Sequence, residues 1–179
     1  MTSLDEIQVL IIDDNKQMRF LMRTLLRAAG ILNVVEAEDA KGAFARMTDN
    51  PIDLILVDWK MQLMDGISFT RHVRLSEDSP NPYVPILMMT AHTEASRVAA
   101  ARDAGVTGFL RKPISARTLF DRLSVALTDA RPFVKAPGFF GPDRRQRTIL
   151  DYNGPFRRST DKAGALDSID LDDEVRWRA

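Results

Sequence analysis

The chemistry this chain can do rests on five polar positions. Asp13 and Asp14 follow an apolar run at 7–12, Asp58 follows 54–57, Thr90 follows 86–89, and Lys112 follows 108–111. Three carboxylates gathered at one place repel one another strongly unless cations stand among them. A hard divalent ion resolves this, and Mg²⁺ takes octahedral oxygen ligands while keeping several waters. Lys112 brings a second positive charge. A carboxylate beside Mg²⁺ and a lysine can attack a phosphoryl group, because the cations neutralise charge on the transferring oxygens. Thr90 then offers a hydroxyl to a phosphoryl oxygen. Each residue alone has a plainer reading: an Asp after a strand is a common helix N-cap, and Lys112-Pro113 is a turn signal. What discriminates is the set, in order, each member closing a successive strand.

The elements that must position these residues alternate. Strands are predicted at 7–12, 34–37, 54–58, 86–90 and 108–111, and helices at 16–29, 39–48, 67–75, 93–104 and 115–129. Met18, Leu21, Met22, Leu25 and Leu26 give the first helix its period, and Gly30 stops it. Strands that are apolar throughout belong to a sheet covered on both faces, hence parallel. Right-handed crossovers then make five βα units a doubly wound α/β sandwich. In such a sheet the site lies beyond the carboxyl ends of the strands, where all five polar residues fall.

Composition narrows the classes. The 179 residues fit one domain and a tail. The absence of Cys excludes disulfides, Cys-bound zinc and a thiol nucleophile, and two histidines, His72 and His92, are too few for a His-rich metal site. No apolar run approaches the ~20 residues of a spanning helix, so membrane insertion is not expected. The first six residues lack a signal-peptide profile, so a cytoplasmic location is expected. The formal net charge of zero hides an uneven distribution: net −2 over 1–130, +5 over 131–158 and −3 over 159–179. The predicted organisation follows those cuts: a folded domain at 1–130, a basic irregular arm at 131–158 broken by Pro and Gly, and an acidic tail at 159–179.

The residues Asp13-Asp14, Asp58-Trp59-Lys60-Met61, Met64-Asp65-Gly66, Thr90-Ala91 and Lys112-Pro113 give 6–130 a resemblance to the CheY-like receiver domains of two-component systems. The resemblance implies a five-stranded sheet of order 2-1-3-4-5, with Asp58 as phospho-acceptor. It implies Mg²⁺ held by Asp13, Asp14, Asp58 and the backbone carbonyl of Lys60. Thr90 becomes the switch hydroxyl, Phe109 the switch aromatic and Lys112 the phosphate-binding lysine, with a histidine kinase as phosphodonor. It implies no enzymatic activity beyond self-phosphorylation and dephosphorylation. Two departures stand out. Gln62 occupies a position where many receivers have Pro, which should loosen that loop, and Phe109 lacks the hydroxyl of a Tyr.

The arm contains a duplicated pattern, aromatic-x-Gly-Pro-x-Arg-Arg, at 139–145 and again at 152–158. Gly-Pro is expected to fix a turn that aims the Arg pair, with the aromatic offering a stacking face. Six of the arm's seven basic residues are Arg, which presents a planar fork to phosphate and to the guanine O6/N7 edge. Asp143 is placed to accept from the guanine N1–H and N2–H₂ edge. Two similar half-sites fit a ligand with two similar halves, such as a cyclic dinucleotide. Single-stranded RNA competes, because Arg and aromatics bind it too, although scarce Lys and the acidic tail disfavour nucleic acid.

Receiver and arm together are similar to the Cle family of CheY-like c-di-GMP effectors. That resemblance implies c-di-GMP, as a stacked dimer, contacting Arg131, Asp143, Arg144, Arg145, Arg147, Tyr152, Arg157 and Arg158. It also implies docking on the flagellar motor switch protein FliM, with recruitment to the motor or cell pole and control of motility and surface attachment. The alternative is an orthodox single-domain response regulator switched at Asp58, with a passive tail. In the tail, Leu166, Ile169, Leu171, Val175 and Trp177 interleave with five acids from Asp167 to Glu174. Their density of charge favours disorder over a short helix.

Overall fold

A computed structural model describes residues 4–91 and 95–143. Strands β1 (Gln8–Ile12), β2 (Asn33–Ala37), β3 (Leu54–Asp58), β4 (Ile86–Thr90) and β5 (Gly108–Arg111) alternate with helices α1 (Lys16–Ala28), α2 (Ala40–Asp49), α3 (Gly66–Leu75), α4 (Ala95–Asp103) and α5 (Ala116–Leu127). The sheet is parallel throughout, in the order β2-β1-β3-β4-β5. The expected doubly wound α/β fold is therefore the one observed.

The two-residue period of a strand divides the central residues between two cores. Leu10, Ile12, Ile55, Val57, Ile86 and Met88 face Ala43, Phe69, Val73 and Val98 of α2, α3 and α4. Val9, Ile11, Leu54, Leu56, Leu87 and Met89 face Met22 and Leu26 of α1 and Leu119 and Leu123 of α5. Burying each such side chain is worth about 1.5–3 kcal/mol against leaving it in water. The sheet is thus held from both faces, and its strand ends are fixed platforms.

The arm departs from expectation. Residues predicted to be irregular form an antiparallel hairpin, β6 (Phe133–Ala136) and β7 (Phe139–Pro142). Pro137 and Gly138 make its turn, with Gly138 at φ +73°, the proline-then-glycine order of a type II turn. Gly141 and Pro142, predicted to turn, instead lie within β7, and the aromatic before them, Phe139, is buried rather than free to stack on a ligand. The reason is close packing. A Cβ on Gly141 would come 2.8 Å from the Gly105 Cα, so only glycine lets these backbones touch. Tyr83, Phe133 and Phe140 form a ring cluster with centroids 5.0–5.4 Å apart. The Asp143 N–H donates to the Pro132 carbonyl at 2.8 Å and closes the hairpin's base.

The hairpin rests on the loops that enter β4 and β5, at the amino edge of the sheet. Arg74, at the end of α3, lies beneath it. Arg74 is buried, donates to the carbonyls of Gly105 (3.1 Å) and Pro82 (2.6 Å), and sits 5.2 Å from the Phe133 ring centroid. Burial pushes its guanidinium down to about 9, so it remains cationic at neutral pH. The five polar residues of interest lie at the opposite, carboxyl edge, about 17 Å away along a five-residue strand.

Candidate functional site

Strand ends bring the carboxylates together. Asp13 leaves β1 and Asp58 ends β3, both buried, while Asp14 is exposed. One carboxylate oxygen from each of the three lies within 4.8 Å of the others. None of them caps a helix. Asn15 caps α1, its side chain accepting from the N–H groups of Gln17 and Met18, and Asp65 caps α3 through the Ser68 N–H. The plainer N-cap reading of Asp13, Asp14 and Asp58 therefore has no support in the structure.

Lys112 arrives from β5. Its backbone N–H donates to the Thr90 carbonyl at 2.8 Å, which seats it against the end of β4. The peptide bond to Pro113 is cis. The Lys112 ammonium reaches the Asp58 carboxylate at 2.7 Å and the Asp13 carboxylate at 3.4 Å. The other Asp58 oxygen accepts from the Lys60 backbone N–H at 3.2 Å. Thr90 is buried, one residue past Met89, the register partner of Asp58. Phe109 is buried in β5 opposite Met88.

The loop between Asp58 and α3 is tightly drawn. The Gly66 N–H donates to the Trp59 carbonyl at 2.9 Å, and a Cβ on Gly66 would strike the Asp58 carbonyl oxygen at 2.4 Å. Gly66 is thus required for α3 to start beside the acidic pocket. Leu63, next to the unusual Gln62, takes φ +67° and is fully exposed.

Two supporting residues carry no signal in the sequence pattern. The Asn15 N–H donates to Asp13 Oδ1 at 2.8 Å, and Arg19 holds the Asp13 carbonyl at 2.7 Å while pairing with Glu36. Asn15 lies in the turn after the two aspartates and Arg19 one turn into α1, so neither is marked by a strand end or by the apolar period.

The electrostatics suit a cation. Burial pushes the Asp13 carboxyl up, and the nearby Asp58 charge adds to this, while the Asn15 N–H and Lys112 act in the opposite sense. One ammonium faces two buried carboxylates and an exposed third. This all-oxygen donor set with an open, solvent-facing member fits Mg²⁺, which retains waters.

Of the residues assigned to the arm's ligand site, two are described. Arg131 is engaged with Asp129 and donates to the Thr107 carbonyl at 2.8 Å. Asp143 is half-buried at the end of the hairpin. Arg144, Arg145, Arg147, Tyr152, Arg157 and Arg158, with the second copy of the repeat, lie outside the described residues, as does the tail at 159–179.

A five-stranded doubly wound sheet with an acidic pocket and a lysine at its carboxyl edge is the architecture of a receiver-type signalling module. The response regulator receiver domain family matches residues 9–124, and the chain belongs to that family. It is 34% identical over 116 residues to the chemotaxis protein CheY-3 of Vibrio cholerae, covering 65% of this chain and 88% of that protein. It is also 34% identical to the chemotaxis protein CheY of Pseudomonas aeruginosa, covering 65% and 92%. Among solved structures, V. cholerae CheY4 is 31% identical with a TM-score of 0.62, covering 68% of this chain and 98% of that one. Receiver domains bind Mg²⁺ at an acidic pocket of this kind and are in general signalling modules rather than enzymes. Among the described residues no helix is long and apolar enough to cross a membrane.

Proposed function

We propose that this chain is a CheY-like effector in which c-di-GMP, bound through the arginine-rich arm, controls docking of the receiver on the flagellar motor switch protein FliM, and so motility and surface attachment. The observation that carries this reading is the seating of the hairpin. The arm is rooted in β7, packed on the receiver through Gly105, Arg74 and Tyr83. Ligand contacts at Arg131, before the hairpin, and from Asp143 onward therefore act on a fixed root. An arm that folds around an anionic ligand loses conformational entropy on doing so. A ligand shifts a two-state receiver only by its differential affinity for the two states, and a rooted arm has a means of sensing which state is present.

At the other edge, Asp58 is the phospho-acceptor in this reading. Lys112 orients one of its oxygens and the Lys60 N–H the other, leaving the carboxylate fixed for attack. Asp13 and Asp14, with Asp58 and the Lys60 carbonyl, would hold Mg²⁺, which when bound neutralises charge on the transferring phosphoryl group. The Thr90 hydroxyl would donate a hydrogen bond to an oxygen of the phosphoryl group on Asp58, with Phe109 as the switch aromatic. The geometry of this edge also favours the orthodox reading, in which a histidine kinase and Asp58 alone run the switch.

Calorimetric titration of c-di-GMP separates the two. The intact chain should bind, and the Arg144→Ala, Arg145→Ala double variant should lose at least tenfold in affinity, about 1.4 kcal/mol. Unchanged binding in that variant rejects the arm as the ligand site. FliM capture that needs phosphorylated Asp58 and ignores c-di-GMP establishes the orthodox reading instead.

A further inference from the structure

The hairpin has one edge against the body and one open. Its register, with the Asp143 N–H on the Pro132 carbonyl, sets the alternation of the ladder. Val134 and Ala136 turn their backbone groups toward β7, and Phe133 and Lys135 turn theirs away. On β7 the outward groups belong to Phe140 and Pro142. The Phe140 carbonyl lies against Gly105, where a Cβ would come 2.7 Å from it, and Pro142 has no N–H. Among the described residues nothing pairs with the outward N–H and C=O groups of Phe133 and Lys135. A two-stranded ribbon is marginal as a sheet, and an open edge is a template for a further strand.

We propose that residues 152–155 of the same chain are that strand, paired antiparallel to β6 along its open side. They repeat the pattern of β7: Phe139-Phe140-Gly141-Pro142 and Tyr152-Asn153-Gly154-Pro155 share an aromatic, a glycine and a proline at equal spacing. In the first copy this pattern is not a turn but an edge strand, whose proline faces away from its neighbour. Proline cannot donate to a ladder, so an edge is where a sheet tolerates it. The same rule turns Asn153 and Pro155 outward and Tyr152 and Gly154 toward β6. Two inward residues then meet two open ones, Tyr152 opposite Lys135 and Gly154 opposite Phe133. A ring beside a lysine and a ring covering an edge glycine are both favourable cross-strand pairs. Asn153-Gly154 otherwise reads as a two-residue hairpin turn. That turn closes with an N–H from the residue after Gly154, and Pro155 has none.

The connection is long enough. From Asp143 the chain must travel about 10 Å back along the strands and about 10 Å across two strand spacings. Residues 144–151 reach up to about 28 Å when extended. β7 and the added strand then run in the same direction on either side of β6. Pro142 and Pro155 close them at one end of the sheet, about 10 Å apart. Arg144-Arg145 and Arg157-Arg158 leave from that end. The strand itself needs no ligand. Where the c-di-GMP reading given above holds, the three-stranded sheet is what sets the two arginine pairs side by side.

Amide hydrogen exchange, followed by NMR on the full-length chain without c-di-GMP, reads the edge. The Phe133 and Lys135 amides face water in a two-stranded hairpin. With the third strand in place they should exchange at least about tenfold more slowly than free amides. Gly154→Pro removes an inward N–H and should return both to free rates. Asn153→Pro removes only an outward one and should leave the protection in place. Val134 and Ala136, which donate to β7, should stay protected in both variants. Free exchange at Phe133 and Lys135 in the parent overturns the proposal. So does protection that survives Gly154→Pro, which assigns the edge to another segment or to a second copy. Equal loss in Asn153→Pro and Gly154→Pro overturns it too, because the strand's facing is then wrong. Free exchange at Val134 and Ala136 in the parent removes the hairpin, and the proposal with it. No ligand is present, so each of these outcomes leaves the c-di-GMP reading to its own titration.

Discussion

Lys112 and Arg74 are buried or half-buried cations at opposite edges of one sheet, and they are held in opposite ways. Lys112 faces two carboxylates, Asp58 at 2.7 Å and Asp13 at 3.4 Å. Arg74 is 3% exposed and faces two backbone carbonyls and an aromatic ring, with no carboxylate among its partners. A lysine among acids sits where charge is meant to change, since a phosphoryl group or metal ion arriving there rewrites every local interaction. An arginine among carbonyls has a constant charge and a planar fork that joins separate loops. The carboxyl edge is thus built to respond and the amino edge to hold the hairpin. β4, β5 and the helices that flank them are what lies between the two edges.

The largest effect should come from the responding edge. Asp58→Asn should abolish phosphorylation by acetyl phosphate with Mg²⁺, read as a mass increase of the intact protein. Lys112→Met should slow it by about 10²–10³-fold, the usual loss for one group that stabilises transferring charge. A rate for Lys112→Met within threefold of the parent would remove the lysine from the chemistry. The holding edge should answer differently. Arg74→Ala leaves the carbonyls of Gly105 and Pro82 unpaired and opens a cavity under Phe133, and should cost about 2–4 kcal/mol in urea unfolding. Arg74→Met, which restores volume, should cost less. Its phosphorylation rate should stay within about twofold of the parent, because distant sites without shared partners act independently. A large rate loss in Arg74→Met would show that the two edges are coupled more tightly than their separation implies.

The two edges also differ in how far the sequence discloses them. At the carboxyl edge, apolar runs ending in Asp13, Asp58, Thr90 and Lys112 announce both the strands and the residues they present. Strand period and strand end are local properties, and each of these side chains takes its place from its own strand. The amino edge is set by contacts between distant segments. Gly141 reads as a turn residue until Gly105 is known to lie against it, and Phe139 reads as a free stacking face until the body covers it. Arg74 looks like one more surface charge on α3. The hairpin's turn at Pro137-Gly138 was present in the sequence, but dense Pro and Gly around it mimic an irregular segment. Asn15 and Arg19 were hidden for a related reason: both act on Asp13 across the turn that enters α1, and only the folded turn makes them neighbours.

The smallest expected effect tests what the acidic pocket costs the fold. The Asp13 carboxyl is pushed up from its ordinary 3.8, chiefly by burial. Between that value and the raised one, the folded chain binds more protons than the unfolded chain. Stability therefore falls as pH rises through this window, and at neutral pH the ionised carboxyl is a burden. Asp13→Asn removes the charge but keeps an oxygen for the Asn15 N–H. Without Mg²⁺ it should be more stable than the parent at pH 7, by up to about 1 kcal/mol, the scale of an ordinary single substitution. The advantage should shrink as pH is lowered, because the parent's own carboxyl then takes up its proton. Added Mg²⁺ should raise the parent's melting temperature and leave the variant's nearly unchanged, since a ligand stabilises only the state that binds it. A variant less stable than the parent in the absence of metal would mean that the attraction of Lys112 outweighs burial at Asp13, and that the pocket is already balanced without a divalent ion.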